Sequence, residues 1–158
     1  MNTNINGGLI MDTQNKATAE LLSELYKNMK MGADSIVNIS SKVQEGALRD
    51  ELTKELDTYE SYAKKIGKLI YSAGDTPKEE NIMAKMASKM GMAMNTLTDS
   101  TESHIAQMMI EGATMGITEN TKLINQCEKH GADEEALRIG RDSVKFMEES
   151  IESLKKFL

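Results

Sequence analysis

Apolar residues recur at steps of three and four positions along most of the 158-residue chain, for example at Leu22, Leu25, Met29 and Ile36. This spacing is the period of an amphipathic helix, because positions i, i+3 and i+4 lie on one helical face. One Pro, three Val and 4% aromatic residues leave few of the residue types that favour strands. The sequence therefore predicts an all-α protein and excludes sheet folds.

Breaks in the apolar pattern divide the chain into five predicted helices. We expect these helices at about residues 13–44, 48–73, 77–97, 100–130 and 133–157. The residues that mark the breaks are Gly46, Gly74, the capping sequence Thr76-Pro77-Lys78-Glu79, the pair His130-Gly131, and Asp133. Between the third and fourth helices, Asp99 and Glu102 resemble an N-cap and its N3 partner, which favours a break. One bent helix over residues 78–130 is the alternative.

Short connections make the first and second helices, and the fourth and fifth, antiparallel neighbours. The third helix then has to carry the chain from the end of the second to the start of the fourth. This order predicts a ferritin-like four-helix bundle with an additional shorter crossover helix, formed as a single domain by residues 13–158. Residues 1–12 contain three Asn and Gly7-Gly8, which predict a flexible lead-in whose apolar patch, Leu9-Ile10-Met11, docks on a partner.

Net charge and cysteine content restrict the classes of partner and the cellular compartment that we expect. The net charge of −6 and the lack of a basic run argue against a nucleic-acid partner. No apolar run approaches the roughly 20 residues of a membrane-spanning helix, so we expect no membrane span. A single cysteine, Cys127, and an N-terminus without a secretion signal predict a cytoplasmic protein, with Cys127 as a small buried hydrophobic residue.

Metal chemistry is the first activity to consider in such a bundle. A di-iron site needs Glu-x-x-His on each of two helices, because positions i and i+3 lie on one face. The two histidines instead occur in Glu102-Ser103-His104 and Glu128-Lys129-His130. A spacing of i, i+2 points the side chains about 200° apart, so neither pair can chelate a metal. The chain also has no Gly-x-Ser-x-Gly motif and no phosphate-binding glycine loop, so we predict no catalytic residue.

Two acidic residues remain on the predicted inner faces, Glu55 in the second helix and Glu119 in the fourth. The leading interpretation is structural, in which each carboxyl reaches solvent or bonds to a tyrosine such as Tyr59 or Tyr62. The alternative is a site for iron or another divalent metal formed by Glu55, Glu119 and His104, with water or other carboxylates completing the shell. We expect no other cofactor.

The chain contains 13 methionines, many of them in the third and fourth helices. Thioethers are ligands for Cu(I), but flexible core filling or an adaptable partner groove is the stronger interpretation. The fourth helix has small residues and a wide apolar arc, which predicts a homodimer or higher homo-oligomer, with cover by the third helix as the alternative. The predicted interface or groove residues are Met86, Met90, Met94, Met108, Gly112, Met115 and Gly116.

Parts of the chain resemble a known family. Residues 94–106 read MNTLTDSTESHIA, residues 108–117 read MMIEGATMGI, and residues 148–158 read EESIESLKKFL. These stretches resemble blocks of uncharacterised ferritin-like helical proteins of anaerobic Firmicutes, and the resemblance extends from about residue 48 onwards. The resemblance implies the ferritin-like fold and brings no activity with it. If the first block contains a site, its polar members are Asn95, Asp99, His104 and Glu111.

Three functional hypotheses follow from the sequence. The leading one is a non-enzymatic bundle that acts through self-assembly or a protein partner. The second is a metal-binding or metal-oxidising protein with a degenerate carboxylate site. The third is a protein that binds a small apolar ligand in a Met-lined cavity.

Overall fold

The computed structural model describes residues 5–78 and 98–158 of the chain. This part of the chain contains four α-helices and no strand, which confirms the all-α class. The helices are α1 (Ile5–Ser40), α2 (Ala47–Ser72), α3 (Glu102–Lys129) and α4 (Glu134–Leu154), and a short 3-10 helix, Lys155–Phe157, follows α4. Residues 79–97, which make up most of the third predicted helix, lie outside the described residues.

The first helix begins at Ile5 rather than near Thr13, and it ends at Ser40. Residues 5–12, which were predicted to precede the first helix, are therefore part of it. Once a helix exists, each added residue gains a hydrogen bond without a new nucleation cost. Propagation from the packed part of α1 therefore overcomes the low helix propensity of Gly7-Gly8.

Two glycines end helices where the pattern of the sequence placed them. Gly74 after α2 and Gly131 after α3 have φ values of 82° and 76°, in the left-handed region that glycine adopts without steric cost. Each turn is closed by a backbone hydrogen bond, from Asp75 N–H to Ile70 O at 3.1 Å and from Ala132 N–H to Cys127 O at 3.0 Å. This is the Schellman arrangement, and it confirms the predicted ends of these two helices.

The junction before α3 has a break, as predicted, but a different residue forms the cap. Residues 98–101 are not helical, and α3 begins at Glu102. The Thr101 hydroxyl accepts a hydrogen bond from His104 N–H at 3.4 Å, so Thr101 is the N-cap rather than Asp99. The Asp99 carboxylate accepts instead from Thr101 N–H at 2.9 Å and shapes the preceding turn.

The helices form two antiparallel pairs, α1 with α2 and α3 with α4. In the first pair the Tyr59 ring lies against Gly32, and Gly67 lies beside Tyr26, so the two helices run in opposite directions. The connection over residues 41–46 contains Gly46, the predicted break, which precedes α2 as its N-cap.

The contacts between the pairs define the topology. Asp133, at the start of α4, donates its N–H to the Thr18 hydroxyl near the start of α1 at 2.8 Å. Lys156, after the end of α4, approaches Glu51 near the start of α2 at 3.3 Å. Helix α4 is therefore parallel to α1, and α2 and α3 run in the same direction. The end of α2 and the start of α3 consequently lie at opposite ends of the four described helices.

The core lies between the four helices. Helix α1 contributes Leu21, Leu25, Met29, Ile36 and Ile39 as fully or almost fully buried side chains. The other three helices add Leu48, Leu52, Ile66, Ile105, Cys127, Met147 and Leu154. Leu25, Met29 and Ile36 belong to the apolar pattern that predicted the first helix, because the helical period identifies an inward face.

Candidate functional site

The three predicted metal residues occupy different environments. Glu55 on α2 is buried, with 4% of its surface exposed. Glu119 on α3 is exposed and forms an ion pair with Lys122 at 3.7 Å, which corrects its predicted place at the margin of the inner face. His104 is half-buried in the first turn of α3. Within the described ranges 5–78 and 98–158, no group of three or more His, Cys, Asp or Glu residues could hold a metal ion.

The neighbour of Glu119, Asn120, is the polar residue that α3 buries. Asn120 is fully buried, and its Oδ1 accepts a hydrogen bond at 2.5 Å from Nδ2 of Asn28 on α1. Its own Nδ2 has no hydrogen-bond partner in the described part of the chain. The sequence did not predict that Asn120 is buried, because a polar residue at the edge of an apolar stripe can face either the core or the solvent.

Glu55 faces Ser150 of α4 across the bundle, and both residues are buried, with 4% and 5% of their surfaces exposed. Neither Glu55 Oε1 nor Ser150 Oγ has a hydrogen-bond partner of good geometry among the described residues. The Ser150 hydroxyl is nevertheless close enough to lower the pKa of the carboxyl. We name these two side chains the Glu55–Ser150 pair, a buried polar contact between α2 and α4 in which each residue has an oxygen without a hydrogen-bond partner among the described residues.

Burial raises the pKa of Glu55 from 4.5 to about 7. The pKa rises because the low-dielectric interior disfavours the charged carboxylate, and the negative charge of Glu51, one turn earlier on α2, raises it further. The Ser150 hydroxyl opposes both effects without cancelling them. Glu55 is therefore a carboxyl group that changes charge near neutral pH.

The predicted bond from Glu55 to a tyrosine is absent among the described residues. Tyr62 donates its hydroxyl hydrogen to the carbonyl of Asp142 at 3.2 Å, and no hydrogen bond joins Glu55 to Tyr59 or Tyr62. Tyr59 is buried, and burial together with the nearby Glu55 carboxylate raises the pKa of its phenol. The two groups therefore interact electrostatically rather than by a hydrogen bond.

An aromatic cluster lies beside the Glu55–Ser150 pair. Tyr59 meets Phe146 of α4 edge to face, with ring centroids 4.9 Å apart, and Tyr62 stacks on the same ring at 5.8 Å. The Tyr59 ring also covers Gly32 of α1 so closely that a Cβ at residue 32 would overlap it. These contacts hold α1, α2 and α4 together next to the buried carboxyl.

The four predicted interface residues that the structure describes differ in exposure. Met108 is buried, Gly112 and Gly116 are half-buried, and Gly116 lies under the Met147 side chain. Met115 is 59% exposed. The remaining predicted residues, Met86, Met90 and Met94, lie outside the described residues.

Among the described residues, the first turns of α1 carry the longest run of exposed large apolar side chains. Residues 7–16 of α1, which we name the α1 tip, are exposed throughout. Leu9, Ile10 and Met11 in this tip are 69%, 58% and 67% exposed. The only charged residues of the tip, Asp12 and Lys16, form an ion pair at 2.8 Å. Among residues 7–40 of α1, whose burial is described, the first buried side chain is Ala17. Gln14 lies beside Gly131 in the turn between α3 and α4, so residues 7–13 extend beyond that turn.

A groove of about 690 Å³ begins where the tip ends, between α1 and residues 70–78. Its described lining is mixed, with Leu22 and Ile70 beside charged residues such as Glu20 and Asp75. The described lining contains no methionine, so this groove differs from the predicted Met-lined cavity.

Cys127 and His130 have structural roles, one as a buried side chain and the other at the end of a helix. Cys127 is buried and unbridged, as predicted, and burial raises the pKa of its thiol. His130 is the C-cap of α3, and its Nδ1 lies 2.8 Å from the carbonyl of Gln126, which confirms the predicted role at this helix end. The thiol therefore lacks the lowered pKa of an activated nucleophile.

Comparison with known proteins adds no relative. The chain matches no protein-family model, no curated protein and no solved structure. None of the helices within the described ranges has the length and apolar character that crossing a membrane requires. Function therefore has to be inferred from the geometry of the helices, the α1 tip and the Glu55–Ser150 pair.

Proposed function

We propose that this chain is a non-enzymatic helical-bundle protein that acts through self-assembly, with the α1 tip as the contact between copies. The observation that carries the proposal is the exposure of Leu9, Ile10 and Met11, three consecutive apolar side chains on a projecting helix. A contiguous exposed apolar patch on a small domain is typical of a protein interaction site.

The α1 tip is a helical end of low intrinsic stability, which contact with another surface would stabilise. Isolated helical segments shorter than about 12 residues are marginal in water, and each glycine costs a further ~1 kcal/mol relative to alanine. The tip contains two glycines, Gly7 and Gly8, and neither has an atom within 4 Å of the position that a Cβ would occupy. Packing against a second surface would stabilise this helical end by burying its apolar residues.

Charge favours a second copy of the chain as the occupant. The whole chain has a net charge of −6, so two copies repel each other wherever their acidic surfaces meet. The α1 tip has no acidic residue in its first turn, and Asp12 is neutralised by Lys16. A neutral apolar tip can therefore meet the same tip of another copy in a two-fold symmetric contact without opposing charges.

We further propose that the bundle is ferritin-like, that the assembly is a homodimer, and that it is cytoplasmic. The order of two antiparallel pairs around a long crossover connection supports the ferritin-like fold. The single buried and unbridged Cys127 suits a reducing compartment. An experimental structure that shows a helix within residues 79–97 along the bundle would test the fold.

The test of self-assembly is the mass of the chain in solution, measured by sedimentation equilibrium over a range of concentrations. We expect the wild type to form a dimer, and we expect the triple variant Leu9→Ser/Ile10→Ser/Met11→Ser to be monomeric. Two single variants, Met115→Ser on α3 and Val37→Ser on α1, are matched controls because both side chains are exposed outside the tip. They should leave the dimer unchanged.

Two outcomes would overturn this proposal. A wild type that stays monomeric at the highest concentrations excludes self-assembly through any surface. A dimer that survives the triple variant and is lost in Met115→Ser places the contact on α3, as the sequence first suggested, and rejects the α1 tip. Circular dichroism of each variant checks that the bundle is still folded.

A further inference from the structure

We propose that the Glu55–Ser150 pair is a proton-binding site inside the bundle, and that proton release there loosens the contact between α2 and α4. The geometric basis is the placement of two buried polar side chains on facing helices, each with an oxygen that lacks a hydrogen-bond partner among the described residues. An unpaired buried carboxylate is unfavourable, whereas a protonated carboxyl can donate a hydrogen bond to a hydroxyl such as that of Ser150.

The described surroundings supply no cation that compensates the Glu55 carboxylate. On α2, the charged group that acts on Glu55 is Glu51, which has the same sign. Lys54 and Lys156 both lie near Glu51, at 3.8 Å and 3.3 Å from its carboxylate. Loss of the Glu55 proton therefore places a second negative charge one helical turn from the first.

The other helices packed against α2 contribute few titratable groups at this level. The charged residues of α4 next to Ser150 in sequence are exposed to solvent: Glu148, Glu149 and Glu152. The charged residues of α1 and its following turn over the same stretch are Lys30, Asp34 and Lys42. A second titratable group of α2 that interacts with Glu55 is the Tyr59 phenol, whose own pKa is raised by burial and by Glu55.

Proton release is coupled to packing through the aromatic cluster. Tyr59 is one turn after Glu55 on α2, and its ring contacts Phe146, one turn before Ser150 on α4. Water has to reach the carboxylate to stabilise its charge, and the contact between α2 and α4 covers the carboxyl. We therefore expect the Tyr59–Phe146 contact to weaken over the same pH range in which Glu55 loses its proton.

The test is an NMR titration of the full chain in which the side-chain carboxyl carbons are labelled. We expect the Glu55 signal to titrate near pH 7, compared with 4.5 for an ordinary glutamate. Ser150→Ala removes the group that lowers this pKa, so the midpoint should move up. Glu51→Gln removes the like charge, so the midpoint should move down. Glu60→Gln changes an exposed acid of the same helix and should leave the midpoint unchanged.

The coupling is measured in the same samples from the cross-relaxation between the Tyr59 and Phe146 rings. We expect it to fall as pH rises through the Glu55 midpoint and to be independent of pH in Glu55→Gln. A Glu55 midpoint near 4.5, or midpoints that do not respond to Ser150→Ala and Glu51→Gln, would overturn the proton site. An aromatic contact that does not follow the Glu55 midpoint would overturn the coupling. Neither result depends on the oligomeric state.

Discussion

Glu55 of α2 and Ser150 of α4 face each other inside the bundle, and neither Glu55 Oε1 nor Ser150 Oγ has a hydrogen-bond partner in the described part of the chain. The two helices that carry them also share the Tyr59–Phe146 contact one turn away. A core with this arrangement combines packed aromatic rings with a carboxyl whose charged form is disfavoured by burial.

This carboxyl predicts a specific dependence of stability on pH. The pKa of Glu55 is raised from 4.5 to about 7 in the folded chain, so the folded state binds the proton more tightly than the unfolded chain. The group therefore stabilises the fold below about pH 4.5, and this contribution is lost as pH rises through about 7. At 1.36 kcal/mol per pKa unit, the full contribution is on the order of 3 kcal/mol.

The measurement is urea unfolding of the wild type and Glu55→Gln at pH 5 and pH 8. We expect the wild type to lose stability between pH 5 and pH 8 because Glu55 loses its proton, whereas Gln does not titrate. The difference in free energy of unfolding, Glu55→Gln minus wild type, should therefore be more positive at pH 8 than at pH 5. Glu60→Gln, an exposed substitution on the same helix, should show no such change. An equal effect of Glu55→Gln at both pH values would mean that Glu55 does not titrate in this range.

The close contact between Gly32 and Tyr59 predicts that Gly32→Ala destabilises the bundle. Alanine gains up to ~1 kcal/mol of helix propensity over glycine, but its methyl group would overlap the Tyr59 ring, which also contacts Phe146. Overpacking of this kind costs about 1–3 kcal/mol, so we expect a net loss in the free energy of unfolding.

Gly8→Ala is the matched control, because nothing lies within 4 Å of the Cβ position at residue 8. It should leave the stability unchanged or raise it by less than ~1 kcal/mol. Both variants can be compared by thermal unfolding followed by far-UV circular dichroism. If Gly32→Ala stabilises the chain as much as Gly8→Ala does, the Tyr59 ring does not occupy this position.

The hydrogen bond between Asn28 and Asn120 predicts an energetic coupling between α1 and α3. Asn28→Ala leaves the buried carbonyl oxygen of Asn120 without its donor, which costs about 1–3 kcal/mol. Asn120→Ala removes the buried group and also opens a small cavity, so it should be destabilising as well. A double-mutant cycle from urea unfolding should give a coupling of at least ~0.5 kcal/mol. Additive effects of the two substitutions would rule out the bond.

The N-cap of α4 predicts a smaller and purely local effect. The Asp133 carboxylate accepts a hydrogen bond from Glu135 N–H at 2.9 Å and also lies at the positive end of the helix dipole. Asp133→Ala should lower the free energy of unfolding by about 0.5–2 kcal/mol. Glu148→Ala, at an exposed position later in α4, should change it by less than ~0.5 kcal/mol in thermal or urea unfolding. Equal effects of the two substitutions would contradict the capping role.

Local signals explain why the helices could be predicted closely. Gly74, Gly131 and Asp133 act within one helical turn, so their roles at helix ends are readable from neighbouring residues. The apolar stripes likewise follow from the helical period, and they identified most of the core. The start of α1 was less predictable, because the composition of residues 5–12 favours flexibility while propagation of the packed helix favours order.

The candidate site depended more on tertiary structure. Glu119 and Asn120 are adjacent, and a rotation of α3 by one residue, about 100°, decides which of them is buried. The position of Glu55 on the inner face of α2 was predicted, but its partner Ser150 is a residue of α4 that has no distinctive motif. The exposed patch Leu9-Ile10-Met11 was visible in the sequence, whereas its projection from the bundle was not.

The sequence by itself thus determined the all-α class, the ends of three helices and the inward faces, since these depend on interactions within one or two helical turns. Only the tertiary structure decided which polar groups are buried together and which apolar groups remain exposed. Those outcomes depend on the rotation and register of one helix against another, and the packing of the whole core determines both.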